Sequence, residues 1–325
     1  MKTLVTGGNG FVAGHIIQKL LAQGDHVIAT VRSDEKGQRL MKEFDSDHRL
    51  SYVLSSLNDP DDVVLTDALR TIDVLYHVAS PLGGRNANDP NLIYQATGMV
   101  QAVFDSAYKA GVKRIVMTSS LAASTPEAST KGLIDAEFWS DEENPELNAY
   151  RLSKLSAEKL AWNLADKYHF QLSTILPGAI FGPTLTDAIS SNGLIAQIIH
   201  GTPLPKISLE ISDVRDVAEI HILAASFSQF AVGQRFIAKN GDLTFVEVAK
   251  TLKPEFPRVK LSVLPDFVVR LVAKFQPSIR ALVPMLGRSY THTNAKTVRV
   301  LGYQPTDPRQ TILDTARSLK EKNLL

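Results

Sequence analysis

Tyr150 and Lys154 stand four residues apart in AYRLSKLSAEKLAW, a spacing that puts both side chains on one face of a helix. A phenol titrates near ~10 when unperturbed, and an ammonium held beside it favours the ionised form. The pair is therefore suited to passing a proton to or from a reacting oxygen near neutral pH. Tyr and Lys at this spacing also occur on ordinary amphipathic helices, and the start of the chain decides between the two readings. TGGNGFVAGH follows a short β-rich run and opens a helical one, the setting in which glycines mark a dinucleotide site. Gly7 allows the tight turn, Gly10 lets a diphosphate approach the backbone, and Ala13 lets the helix pack closely. Gly8 and Asn9 complete the turn, while Phe11 and Val12 open the helix, whose free N–H groups carry partial positive charge.

At the end of the second β-rich run, where an NAD site places a carboxylate on the ribose hydroxyls, the chain reads ATVRSDEK. It offers Arg32 and, shortly after, Lys36. A guanidinium fork and an ammonium suit a ribose phosphate, which points to NADP(H). Asp34 and Glu35 lie between them, and a solvated loop of mixed charge is the competing reading.

The elements that must hold these groups follow from the alternation of KTLVT, VAGHIIQKLLAQ, HVIATV, LSYVL, DDVVLTDALR and DVLYHVA, continued by a long helical segment, RIVMTSS, a helix from about 146 to 168, and QLSTILP. This βαβ rhythm predicts an α/β fold, a doubly wound parallel Rossmann sheet covered on both faces. The rhythm loosens after Pro177, so a smaller, mostly helical carboxy-terminal substrate lobe is expected. Residues 1–176, rejoined by 207–237, would form the NADP-binding domain, and 177–206 with 238–325 the lobe.

Bulk properties narrow the partners. The 325 residues are 44% hydrophobic and 21% charged, with 35 basic and 34 acidic side chains, so no global field draws in nucleic acid or an anionic membrane. Cysteine is absent, which excludes disulfides, thiolate nucleophiles and cysteine-ligated zinc. No His and carboxylate cluster has metal-ligand spacing, so no metal is expected. The amino terminus runs straight into the glycine turn, leaving no room for a secretion signal, and a cytoplasmic setting is expected. PDFVVRLVAKFQPSIRALVPML is interrupted by Arg270, Lys274, Pro277, Arg280 and Pro284, too often to span a bilayer; it is expected to form amphipathic helices covering a pocket. His15 and His77 fall within helix and strand patterns as structural histidines, and Trp139 and Trp162 as packing residues.

VTGGNGFVAGH, the VRS of the second strand end, LYHVASP, RIVMTSS, AYRLSKLSAEKLAW, LPGAIFGP, DVRDVA and AKTVRVLGYQP, taken in this order over nearly the whole chain, resemble the extended short-chain dehydrogenase/reductases. Within them the likeness is to the branch of dihydroflavonol-4-reductase, cinnamoyl-CoA reductase and NADPH-dependent carbonyl or methylglyoxal reductases. The resemblance implies that Tyr150 gives a proton to the substrate carbonyl, that Lys154 tunes it and binds ribose, and that Ser120 orients the carbonyl oxygen. Ser119 is adjacent, but strand alternation turns only one of the two toward the cofactor. It further implies that Ala79, Ser80 and Pro81 flank the cofactor and that Pro177, Ala179 and Ile180 pack beside the nicotinamide. Where the family writes Asp-Leu to meet the adenine, this chain has Ser56-Leu57, which weakens that contact.

The implied reaction is NADPH-dependent reduction of a ketone or aldehyde, by a monomer or homodimer with a small carbonyl compound as its partner. Substrate selection would fall to the segment between Ser120 and Tyr150, to 181–199 and to the lobe. LNAYRLSK replaces the NWYCYAK of cinnamoyl-CoA reductases, which argues against a dedicated lignin-pathway enzyme, and the apolar stretch from Pro265 favours an uncharged substrate. Two other readings compete: a nucleotide-sugar epimerase or dehydratase that retains NAD, against which Arg32 speaks, and a non-catalytic NADP-sensing regulator, which would not need Tyr150, Lys154 and Ser120 together.

Overall fold

Aliphatic and β-branched runs bounded by turns pair side by side in one seven-stranded sheet. A computed structural model describes residues 1–44, 48–82, 87–185, 190–225, 229–274 and 283–325. Its central strands are β1 (Lys2–Val5), β2 (His26–Val31), β3 (Leu50–Leu54), β4 (Val74–His77), β5 (Arg114–Thr118), β7 (Gln171–Pro177) and β11 (Gln234–Ala238). All are parallel, in the order β11-β7-β5-β4-β1-β2-β3. The chain builds outward from β1 to β3, then returns to the other side of β1 with β4. The crevice beyond the carboxyl ends of β1 and β4 is thus the topological switch point, where ligands of such sheets bind.

Helices cover both faces. On one, α1 (Phe11–Ala22), α2 (Asp34–Glu43) and α7 (Val214–Ala224) bury Val12, Ile16, Leu20, Leu40 and Val217 against the sheet. On the other, α3 (Val63–Leu69), α4 (Asn91–Ala110) and α5 (Ala149–Tyr168) bury Leu65, Val103, Phe104, Ala157 and Ala161. In α5 the small residues Ala157, Ala161 and Ala165 recur every four positions, which gives a narrow stripe for close packing. α2 occupies the stretch with the mixed charges: Ser33 caps it by accepting from the Lys36 N–H at 3.4 Å, and Asp34 and Glu35 fill its first turn, where carboxylates are favoured by the helix dipole. That segment is a helix and not a loop.

A second apolar cluster lies outside the sheet. Strands β8 (Ala179–Phe181), β10 (Ser208–Asp213) and β12 (Gly241–Thr244) form a three-stranded sheet, and α6 (Gly193–Ile199), α8 (Phe245–Leu252) and α11 (Pro308–Glu321) pack with it through Ile195, Leu209, Val248 and Ile312. Residues 208–213, expected in the returning segment, therefore pair with the smaller sheet; α7 and β11 alone rejoin the larger one. Two short pairings complete the lobe, β9 (Leu204–Pro205) with β13 (Val263–Leu264) and β6 (Lys131–Ile134) with β14 (Ser289–His292), along with α9 (Asp266–Val272) and α10 (Ala295–Leu301). The β6–β14 pairing joins the segment between Ser120 and Tyr150 to the carboxy-terminal lobe. Among the described residues no helix is long and apolar enough to cross a membrane.

Candidate active site

The switch-point crevice is a cleft of about 1070 Å³, and every residue singled out in the sequence for cofactor or chemistry lines it, apart from Gly8. Gly8 faces the other way: a Cβ there would come within 2.8 Å of the Ala29 Cβ and 3.1 Å of the Leu40 side chain, so its smallness serves packing of the turn on β2 and α2.

The turn is shaped for an anion. Gly7 has φ +70, a conformation L side chains rarely adopt, and its N–H donates to Thr30 Oγ1 at 2.9 Å. A Cβ on Gly10 would meet the Gly7 carbonyl at 3.0 Å. Gly10 caps α1 without a side chain to satisfy the first amides, and the first turn carries no acidic residue. Those unused N–H groups, with the positive end of the helix, fit a diphosphate.

Beyond the turn, Arg32 and Lys36 line the cleft. The intervening carboxylates are engaged elsewhere: Asp34 accepts from the Tyr52 hydroxyl and from Gln38, both at 2.6 Å, and Glu35 pairs with Arg39 at 3.0 Å. Neither Arg32 nor Lys36 forms an ion pair with a described residue, so both charges remain for a ligand phosphate. Asn9 Nδ2 donates to the Lys36 carbonyl at 2.8 Å, tying the glycine turn to α2.

Thr6 sets the opposite wall. Its hydroxyl accepts from the Val78 and Ala79 N–H groups at 2.9 and 3.0 Å and lies 3.1 Å from His77 Nδ1, to which it therefore donates. The His77 ring is buried and held down to about 4, chiefly by burial and then by the Lys154 charge. His15 lies 2.9 Å from the Pro183 carbonyl, lowered mainly by burial. Both histidines are structural.

Tyr150 and Lys154 sit in the first two turns of α5, which is started by Asn148 accepting from the Arg151 N–H at 2.9 Å. The Lys154 ammonium donates to Ser80 Oγ at 2.7 Å and lies 5.7 Å from the centre of the Tyr150 ring. Burial brings Lys154 down to about 8. Burial also raises Tyr150, against a hydrogen bond from Ser120 and the charge of Arg151, which pull it down. The expected lowering of the phenol by Lys154 is thus not what this geometry gives: desolvation dominates, and the phenol is kept as an O–H donor. Ser120 begins a 3-10 turn, its Oγ accepting from the Ala122 N–H at 3.1 Å.

Ser119 turns the opposite way, donating to Glu158 Oε2 at 2.6 Å. Glu158 lies one turn beyond Lys154 and is wholly buried. Its other oxygen accepts from Thr174 at 2.6 Å and from Arg235 Nε at 2.9 Å, and the Arg235 guanidinium lies 3.6 Å over the Trp139 ring. Strands β5, β7 and β11 and the segment before α5 are thereby locked to the helix that carries Tyr150. The sequence does not single out this network or Thr6, Thr30, Asn58, Gln95, Met99, Thr118 and Ser191, which also line the cleft or shape it. Gln95 and Met99 stand at helical spacing; the others have no local pattern to announce them.

The apolar stretch from Pro265 is not a cover in its described part. Phe267 and Leu271 of α9 are 71% and 54% exposed, and no residue of α9 lines the cleft; residues 275–282 of that stretch lie outside the described residues. Among the described residues no group of three or more His, Asp or Glu side chains converges to hold a metal.

A doubly wound sheet with an uncapped glycine turn at its switch point defines a Rossmann-class dinucleotide-binding protein. More narrowly, the chain belongs to the NAD dependent epimerase/dehydratase family, whose pattern matches residues 3–237. It is 30% identical over 347 residues to the NADPH-dependent methylglyoxal reductase of Saccharomyces cerevisiae, covering 98% of each chain. Against cinnamoyl-CoA reductase 1 of Oryza sativa subsp. japonica it is 31% identical over 263 residues, 78% of this chain and 75% of the other. The crystal structure of yeast methylglyoxal/isovaleraldehyde reductase complexed with NADPH superposes with a TM-score of 0.84 at 27% identity, covering 100% of both chains.

Proposed function

We propose that this protein reduces a ketone or aldehyde to the alcohol with NADPH, Tyr150 giving the proton. The carrying observation is that Ser120, Tyr150 and Lys154 line one cleft with the glycine turn and with Arg32 and Lys36. The NADPH dependence of the yeast methylglyoxal reductase, whose structure is complexed with NADPH, supports the same reading. Bound NADPH supplies a hydride to the carbonyl carbon. The α1 amides hold its diphosphate, Arg32 and Lys36 its ribose phosphate, and Lys154 the nearer ribose. The electron pair displaced from the C=O bond moves onto oxygen, where the Ser120 and Tyr150 hydroxyls stabilise it and Tyr150 transfers its proton. Residues 1–176 apart from β6, with α7 and β11, act as the nucleotide-binding domain, and the cluster around β8, β10 and β12 as the substrate lobe.

Tyr150→Phe tests the assignment. Loss of the proton donor should cut carbonyl reduction by about 10²- to 10⁴-fold while NADPH affinity, read by fluorescence titration, stays near that of the parent. A variant that keeps most of its rate removes Tyr150 from the chemistry.

A further inference from the structure

Arg32, Lys36 and Lys154 line the cleft, and among the described residues no Asp or Glu does. The sheet order sets the two ends of this carboxylate-free surface. The glycine turn follows β1, Arg32 and Lys36 follow β2, and Ser56, Leu57 and Asn58 follow β3, the outermost strand on that side; Ser120 and Gly178 follow β5 and β7 on the other. A dinucleotide with its diphosphate on the turn and its ribose phosphate beside Arg32 therefore has its purine against the residues after β3. Leu57 and Met99 of α4 meet there in one apolar cluster, and Gln95 stands one helical turn before Met99. The carboxylates that follow β3 are turned to other partners. Asp62 accepts from Ser55 Oγ at 2.6 Å and from the Leu65 N–H at 2.9 Å, Asp59 accepts from the Asp61 N–H at 2.9 Å, and Asp61 pairs with Lys109 at 2.8 Å. The Leu57 N–H is used as well, donating to Ser55 Oγ at 3.1 Å. The side-chain polar groups left for the purine edge are the Ser56 hydroxyl and the Asn58 and Gln95 carboxamides, none of which hydrogen-bonds to a described residue.

We propose that Asn58 and Gln95, with Ser56, meet the six-position edge of the purine in either hydrogen-bond polarity, so that the cleft takes a 6-oxopurine dinucleotide phosphate as readily as NADP(H). On this edge adenine offers an amino donor beside a ring-nitrogen acceptor, and hypoxanthine offers a carbonyl acceptor beside a ring N–H donor. A carboxamide carries both a donor and an acceptor and matches either edge by turning over, and a hydroxyl likewise donates or accepts. A carboxylate only accepts, so it would pair with adenine and leave the hypoxanthine carbonyl facing negative charge. Selectivity of that kind needs a repulsive group, and the described residues of the cleft supply none. The inference rests on NADP(H) as the nucleotide and not on the carbonyl reaction.

The test titrates NADPH and its hypoxanthine analogue, reduced nicotinamide hypoxanthine dinucleotide phosphate, into the protein by nicotinamide fluorescence. Both bases make the same number of hydrogen bonds, so the two Kd values should agree within about threefold. Ser56→Asp and Asn58→Asp each place an acceptor-only group at an exposed position. At least one of them should weaken binding of the analogue relative to NADPH by roughly 10-fold or more. The added charge repels the phosphates of both nucleotides alike and drops out of that ratio. Ser56→Asn, which adds a neutral carboxamide, should keep the parent ratio, and a shift equal to that of Ser56→Asp overturns the polarity argument. Parent protein that binds NADPH more than about 10-fold tighter than the analogue overturns the proposal, as does a ratio that both Asp variants leave unmoved, or binding of neither nucleotide. Binding of both at similar Kd with no carbonyl compound reduced supports the base inference and removes the reductase reading, so the two fail separately.

Discussion

The Lys154 side chain is only 6% exposed, and its ammonium has a serine hydroxyl where a carboxylate would stabilise it. Folding takes it from 10.5 down to about 8. The sign follows directly: below about pH 8 both folded and unfolded chains carry this proton, and the folded one is penalised by on the order of 3 kcal/mol. Between about 8 and 10.5 the unfolded chain binds the proton more tightly, so this group's contribution to stability rises with pH. Lys154→Met should therefore stabilise the ligand-free protein near neutral pH by about 1–3 kcal/mol, with the gain shrinking to nothing as pH passes about 10.5. Urea unfolding at two pH values measures it; a destabilised variant at neutral pH shows that Lys154 is not held at a cost. With Lys154 holding the ribose as proposed, the same substitution should weaken NADPH binding.

The next scale is α5, which places Tyr150, Lys154 and Glu158 along one face. The first two are legible in the sequence because their relation is local, four residues on one helix. Glu158 continues that face, yet its partners Ser119, Thr174 and Arg235 come from the ends of β5, from β7 and from β11, and no short pattern joins positions so far apart. α2 escapes notice for a different reason: only Gly37 and Leu40 of its residues are buried, so it carries too few apolar residues to read as a helix packed on the sheet. The Glu158 network carries its own prediction. Glu158→Gln leaves the buried Arg235 without its counter-charge and should cost about 3–5 kcal/mol in urea unfolding, whereas Glu158→Met with Arg235→Met removes both charges and should recover most of it. Equal losses in single and double variants would mean that shape, not charge, anchors the helix.

At the scale of the whole molecule, the parallel sheet and its switch point are legible from the βαβ rhythm, because each unit repeats one pattern of apolar strand and amphipathic helix. The lobe is less so: its strands are two to six residues long, and their pairing depends on partners distant in sequence. The cleft takes its walls from both parts, the glycine turn from one and Gly178, Ile180 and Ser191 from the other, so a nucleotide bound there touches both and binds only the folded chain. Such a ligand at about 100 times its Kd stabilises by about 2.7 kcal/mol, which for a chain of this size raises Tm by roughly 4 °C. Because Arg32 and Lys36 pair with no carboxylate among the described residues, NADPH should give this shift at much lower concentration than NADH, and Arg32→Ala should bring the two curves together. Thermal melts over a titration of each nucleotide read the difference. Equal shifts from both nucleotides would remove the ribose-phosphate role of Arg32, and a purified protein that already carries tightly held NAD, with no response to added NADPH, would move the chain from the reductases to the epimerases of its family.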